Sequence, residues 1–274
     1  MIHPTAVVSE GAHLGENIRI GPYAVVESGA CIGDGCSIEA HAVVTGHVRM
    51  GTSNIVSQGA VIGADPQDLR FDPKTVSYVQ IGDRNRFREH CTIHRATLPG
   101  AATVVGDDCF LMVGVHLGHD SKVGNRVVMA NGVMLGGFAE VQDSVFLGGG
   151  TGVHQFVRIG RLAIAQGNSS LSKNVPPYTM AALLNQVVGL NTVGLRRSGL
   201  TLPQRNEVKK AFNLLYRSGL NASQALAASR LTEWSPEGTS FWEFVEVSKK
   251  RGICRWAGRK GAADGAEEPE MEGR

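Results

Sequence analysis

LMVGVHLGHDSKVGNRVVMANGVMLGGFAEVQDSVFLGGGTGVHQF, residues 111–156, carries a large aliphatic at Leu111, Leu117, Val123, Met129, Leu135, Val141, Leu147 and Val153, one every six residues. A helix repeats at about 3.6 residues and an alternating strand at about 2, so a period of six calls for a short strand followed by a turn. Three such units close one triangular coil of eighteen residues. Residues eighteen apart then stack one above another at about 4.8 Å, the spacing of paired strands. The aliphatic points inward. Gly124 and Asn125 are residues of the kind that corners with positive φ require.

The beat extends in both directions. It runs from Ile2 to Ile62, returns at Ile81, Phe87 and Ile93, and continues from Val105 to Leu171, in all twenty-six positions. That predicts a mainly β prism of about nine coils, on the order of 40 Å tall. The beat is broken twice. Residues 63–80, GADPQDLRFDPKTVSYVQ, contain Pro66, Pro73 and several charges and read as a loop thrown outward; residues 94–104 place Pro99 where an inward aliphatic belongs. Long loops on a rigid frame are more often functional than idle.

At Val175-Pro176-Pro177 the hexads stop. Thr201-Leu202-Pro203 opens a helix with Val208, Phe212, Leu215 and Tyr216 at helical spacing, ended by Gly219. Asn221 or Ser223 caps a second helix, and Ser235-Pro236-Glu237 opens a third carrying Phe241, Trp242, Phe244 and Val245. The expected organisation is therefore a repeat prism over 1–180, a C-terminal helical domain over 181–257, and a tail over 258–274 without large aliphatics, expected to be disordered.

Thirty-five glycines with 6% aromatics fit a corner-rich repeat, and no apolar run reaches membrane-spanning length, so a cytoplasmic protein is expected. The five cysteines form no CxxC pair and read as reduced thiols. The net charge of +2 is unevenly placed: −2 over residues 1–195, +8 over 196–260 and −4 over 261–274. Arg205, Lys209, Lys210, Arg217, Lys249, Lys250 and Arg251 offer an acidic partner a landing surface, or form a solvated helical face. Nucleic acid fits less well, since no aromatic stacking platform accompanies the charge.

Leu117 is an inward beat, which puts His119 and Asp120 at a prism corner. Eighteen residues on lies Gly137, and eighteen further Gln155, beside His154. This stripe of imidazole, glycine and amide suits acyl transfer. A neutral His119 takes a proton from an attacking hydroxyl, Asp120 holds its tautomer, and the exposed Gly137 N–H stabilises an oxyanion. No serine or cysteine occupies a matching corner, which favours direct transfer over an acyl-enzyme. Zinc held between subunits by His90, His94, His116 and His119, as in a hydratase, is the competing chemistry, although His94 and His116 lie 22 rather than 18 residues apart.

Across residues 1–255 an ordered set of motifs resembles the UDP-N-acetylglucosamine O-acyltransferases that open lipid A biosynthesis. They are Gln67-Asp68-Leu69, Ile81 to Arg86 (IGDRNR), Thr92 to Arg95 (TIHR), His116 to Asp120 (HLGHD), Val123 to Arg126 (VGNR), Val153 to Phe156 (VHQF) and Val175 to Tyr178 (VPPY). The resemblance implies a homotrimer of left-handed parallel β-helices, an exception to the usual right-handed crossover, with active sites between neighbouring prisms. It implies transfer of an (R)-3-hydroxyacyl chain from the phosphopantetheine of acyl carrier protein to the 3-hydroxyl of UDP-N-acetylglucosamine, with no bound cofactor or metal. Some relatives use a 3-amino sugar. It assigns His119 as base, Asp120 as its partner and Gly137 as oxyanion donor. Gln67, Asp68, Arg70, His116, His154, Gln155, Asn191 and Arg197 are implied substrate contacts, and Gly167 the position that limits acyl length. The chain departs from the best-known members at Arg70 (lysine there), Phe138 (histidine), Val193 (glutamate) and Ser198 (arginine). Arg70 keeps a cation, but its planar fork is not equivalent to an ammonium.

Overall fold

The computed structural model describes residues 1–258; the tail expected beyond that point lies outside the described residues. Two-residue strands separated by corners wind into three parallel sheets that form the walls of a prism. Successive strands of a wall pair eighteen residues apart: Val25 with Val43, His116 with Met134, Leu117 with Leu135, Leu135 with Val153. Every inward beat from Ile20 to Leu171 is buried, as at Val44, Ile62, Ile93, Leu117 and Leu135. Two residues before many of them sits a second buried side chain, such as Ala42, Val115 or Val133. Each hexad therefore supplies two core residues, one large and one often small enough to escape notice in the sequence.

Corners need left-handed backbone, and here that strain is carried by large side chains as well as glycine. Asp120 (φ 59°), Phe138 (φ 59°) and Phe156 (φ 64°) occupy one column of corners. Single residues visit this region only when the surrounding structure holds them there. Hydrogen bonds from one coil to the next do so: Phe138 N–H donates to His119 O, and Phe156 N–H to Gly137 O.

The two breaks are real but narrower than the sequence suggests. Ile62 pairs with Ile93 and Ile93 with Leu117, separations of thirty-one and twenty-four residues instead of eighteen. Strands Val61–Ala64, Tyr78–Ile81, Thr92–His94 and Ala102–Val105 keep their ladder bonds to the edge of each break. The excursions are thus confined to 65–77 and 95–101. Where the coil is lengthened, two buried asparagines bridge the layers. Asn54 Nδ2 donates to Gly82 O and its Oδ1 accepts from Asn85 N; Asn85 Nδ2 donates to Gly106 O and its Oδ1 accepts from Cys109 N.

Beyond the hexads, strand Thr179–Ala182 extends one wall parallel to Ile164–Ala165, and Gln186–Leu190 turns back antiparallel on it. A short helix α1 (Thr192–Arg197) follows, then α2 (Leu202–Tyr216), α3 (Ala222–Ser229) and α4 (Pro236–Val247). Capping boxes start α2 at Thr201/Gln204 and α3 at Asn221/Gln224, as the Thr, Asn and Gln spacing implies. Ser235 precedes α4 and gives its N–H and hydroxyl to Glu207 of α2, tying those helices together. Val208, Phe212, Phe241 and Trp242 are the buried centre of this cap. Arg255–Trp256 pairs with Gln186–Leu190, so the cap is stitched to the prism wall. The helix α1 has no large apolar stripe and was not expected from the sequence; its signal is Asn191, whose side chain accepts from Gly194 N.

Replacing Asn85 by Ala strands the buried Cys109 N–H and the half-buried Gly106 carbonyl. Each such loss costs about 1–3 kcal/mol, so N85A is expected to lower unfolding free energy by several kcal/mol, measured by urea titration at fixed protein concentration.

Candidate active site

The corner that bears His119 opens onto a groove of about 530 Å³ lined by Gln67, His94, His116, His119, Gly137, His154 and Gln155 together with Met134, Gly152 and Ser170. Register explains the assembly. His116, Met134, Gly152 and Ser170 are outward residues of one wall at successive levels, and His119, Gly137 and Gln155 are the corner residues beside them. Gln67 arrives from the first excursion, which folds over the groove.

His119 Nδ1 lies 2.8 Å from Asp120 Oδ2, which leaves Nε2 as the nitrogen that can meet a substrate. The imidazole is 17% exposed and the Asp120 side chain 7%. This corner is therefore more enclosed than a bare prism edge. The same Oδ2 accepts from Thr97 Oγ1 at 2.7 Å and Thr97 N at 3.0 Å, while Asp120 N donates to Thr103 Oγ1 at 2.8 Å. The carboxylate thus has fixed donors on one side and the imidazole on the other.

Gly137 sits directly above this ring. A Cβ added there would lie 2.5 Å from His119 Cε1 and 2.6 Å from Nε2, so only glycine leaves the imidazole its place. The residue is buried rather than open, because the ring covers it. Among the described residues nothing accepts a hydrogen bond from its N–H. Phe138 meets the His119 ring edge-on at 5.4 Å and stacks on Phe156 at 4.8 Å, and the Arg251 guanidinium lies 5.8 Å from the Phe156 ring. An aromatic column thus climbs from His119 toward the basic cap.

Other expected residues are placed apart from the groove wall. Asp68 and Arg70 stand on the excursion beside it, and the Arg70 N–H and guanidinium hold the Asp68 carboxyl below the usual range. Asn191 is buried, with Oδ1 capping α1 and Nδ2 donating to Leu162 O, so its amide is committed to structure. Arg197 is exposed in the last turn of α1. Gly167 lies exposed at a different corner, where a Cβ would come 3.3 Å from Gly149 O. His94, Met134, Ser170 and Thr97 were not singled out as parts of an acyl-transfer site. His94 and His116 are separated by the lengthened coil, which obscures their pairing in sequence, yet their rings meet edge-on at 4.8 Å. Burial pulls the His94 imidazole down to about 4, with the neighbouring His116 and His119 adding to the effect, and burial lowers His116 as well. His116 Nδ1 is 2.8 Å from Thr92 Oγ1; His94 Nδ1 is buried without a partner among the described residues.

Residues 174–254 match the family described as UDP N-acetylglucosamine O-acyltransferase, domain 2, and residues 11–46 and 102–137 match the bacterial transferase hexapeptide family. A relative from Burkholderia orbicola, named acyl-(acyl carrier protein)–UDP-N-acetylglucosamine O-acyltransferase, is 42% identical over 261 residues, covering 93% of this chain and 99% of its own. One of the same name from Synechocystis is 41% identical over 204 residues, 74% of each. Among solved structures, the UDP-N-acetylglucosamine acyltransferase of Francisella novicida superposes with a TM-score of 0.88 at 34% identity, covering 93% and 94% of the two chains. That of Bacteroides fragilis gives 0.87 at 36%, covering 93% and 100%.

The depressed histidines have a consequence for stability. An unfolded chain binds their protons near pH 6.5 and the folded chain only at lower pH, for His94 at about 4, so protonation favours unfolding. Their contribution is whole above about pH 6.5 and is lost as pH falls toward about 4. The melting temperature is expected to drop across that window, and His94→Gln should flatten the drop, as read by calorimetry at several pH values.

Proposed function

The chain belongs to the UDP-N-acetylglucosamine O-acyltransferases, and from that premise we propose that His119, Asp120 and Gly137 carry its chemistry. Its fold is the left-handed parallel β-helix of hexapeptide repeats. It is an acyltransferase that moves an acyl chain from acyl carrier protein to UDP-N-acetylglucosamine, the first step of lipid A biosynthesis. Family membership sets aside a zinc hydratase.

In the proposed reaction His119 Nε2 takes the proton of the sugar 3-hydroxyl as that oxygen attacks the thioester carbonyl of an (R)-3-hydroxyacyl chain. Charge develops on the carbonyl oxygen. The Gly137 N–H is free to receive it, and a donor of this kind is worth about 3 to 4 kcal/mol. Collapse of the tetrahedral intermediate breaks the carbon–sulfur bond, and the imidazolium returns its proton to the departing phosphopantetheine thiolate. Asp120 stabilises the imidazolium while that proton is held. The observation that carries this reading is the contact of ring and glycine one coil apart, with Nδ1 already occupied by Asp120.

Gln67, His116, His154 and Gln155 would hold the sugar and acyl groups around that centre. Asp68 and Arg70 on the excursion, Asn191 at the cap of α1 and Arg197 in its last turn do not line this groove in one chain. We therefore take the site to be completed by a neighbouring copy in a homotrimer, for which the exposed Met134 and Phe146 on the outer walls and Phe156 at a corner supply apolar surface. The basic cap would receive the acidic carrier protein, and glycine at 167 leaves room for a longer chain. No helix among the described residues is long and apolar enough to cross a membrane; with these substrates, the cytoplasm is the proposed location.

His119→Ala should lower turnover by roughly 10²–10⁴-fold without changing the assembly, and Gly137→Ala should do the same by displacing the ring. Carrier proteins charged with hydroxyacyl chains of several lengths, offered UDP-N-acetylglucosamine and its 3-amino analogue in parallel, should yield the O-acylated sugar nucleotide by mass spectrometry. Retention of near-normal turnover in H119A would remove the base assignment, and preference for the amino sugar the acceptor assignment.

A further inference from the structure

The excursion at 95–101 ends up behind the corner that bears His119, and the side chain it turns to Asp120 is Thr97. Both its hydroxyl and its N–H donate to Asp120 Oδ2, at 2.7 and 3.0 Å, the same oxygen that faces His119 Nδ1 at 2.8 Å. A carboxylate can only accept, so the Thr97 hydroxyl must give its proton to Asp120. Three donors converge on one oxygen of a carboxylate that is 7% exposed. Such charge-assisted contacts are short, directional and about twice as strong as neutral ones.

Thr97 is itself fixed from both sides of the groove. Its neighbour Ala96 donates to Tyr78 O and accepts from Ser77 Oγ. One residue earlier, Arg95 is 1% exposed and sends its guanidinium into the other excursion, to Asp65 Oδ1 at 2.7 Å, Pro73 O at 3.0 Å and Thr75 O, with its plane over Phe71 at 4.8 Å. That excursion also carries Gln67 of the groove wall. The segment Arg95-Ala96-Thr97 therefore joins the loop over the groove to the carboxylate behind the base.

We propose that Thr97 is a positioning residue for acyl transfer, holding Asp120 Oδ2 so that His119 keeps Nδ1 protonated and aims Nε2 into the groove. The inference rests on the reading of His119 as base. Two features support it beyond packing. The hydroxyl meets the very oxygen the imidazole uses, and Thr103 fixes the backbone of the same aspartate by accepting from its N–H. An aspartate in left-handed backbone (φ 59°) has its side chain set by such contacts rather than by its own conformational preference.

Steady-state kinetics on Thr97→Val, Thr97→Ser, His119→Ala and the Thr97→Val/His119→Ala pair, in the full chain with both substrates varied, test this. Losing one charge-assisted donor should lower kcat about tenfold in T97V while KM for either substrate changes less than about twofold, because the contact serves the transition state. T97S, which keeps the hydroxyl, should recover most of that loss. In the H119A background T97V should cost nothing further, since the threonine acts through the imidazole. Wild-type kcat in T97V, an equal loss in T97S at matched melting temperature, a loss confined to KM, or an additive loss in the double variant would each overturn the role. If H119A itself turns over normally, the underlying base assignment fails, an outcome that is separately visible.

Discussion

The parallel hydrogen-bond ladder that fixes a coil at eighteen residues is the constraint on which everything else depends. It fixes which residues share a corner, and neighbouring corners are only one strand spacing apart, about 4.8 Å. At that separation an imidazole on one layer touches the backbone of the next. Gly137 shows how tight the tolerance is, since even a methyl group would lie 2.5 Å from the His119 ring. A hydrolase-type fold gathers base and oxyanion donor from distant loops; here the groups proposed for both roles follow from one repeat length. The geometry of the corner is inherited from the core, because a change that shifts Leu117 against Leu135 also shifts His119 against Gly137.

The ladder alone, however, yields a bare edge. What turns an edge into a site is the pair of interruptions at 65–77 and 95–101, which wall the corner and reduce the exposure of His119 and Asp120. Enclosure matters because a proton transfer and an oxyanion contact gain strength as water is excluded. The same enclosure depresses His94 and His116, so that two of the four histidines in the groove remain neutral and can serve as hydrogen-bonding groups without adding positive charge beside His119.

How far the sequence can be read depends on whether a feature is periodic. The inward beats, the column of His119, Gly137 and Gln155, and the caps at Thr201 and Asn221 all follow from spacing, and each takes its place in the structure. Features that depend on the interruptions do not. His94 sits beside His116 only because the coil between them is lengthened, and Thr97 reaches Asp120 across a fold of chain whose path no period encodes. Asn191 shows a structural use that its motif does not announce. Its residue type and motif suit a ligand contact, but the physics of a helix start claims both ends of its amide.

Phe138 marks where this chain's own chemistry diverges from the motif it resembles. A histidine at that corner would bring a second titratable ring against His119; phenylalanine brings a hydrocarbon edge at 5.4 Å and a stacked partner in Phe156. Apolar contact cannot donate or accept, so it leaves the tautomer of His119 to Asp120 alone. The hydrogen bonds that orient Asp120 then have no competitor at the ring, and the burden of aiming the base passes to the opposite side of the corner. There the carboxylate meets Thr97 and Thr103. With phenylalanine on one side and threonines on the other, the imidazole is confined by packing and oriented by a single polar chain.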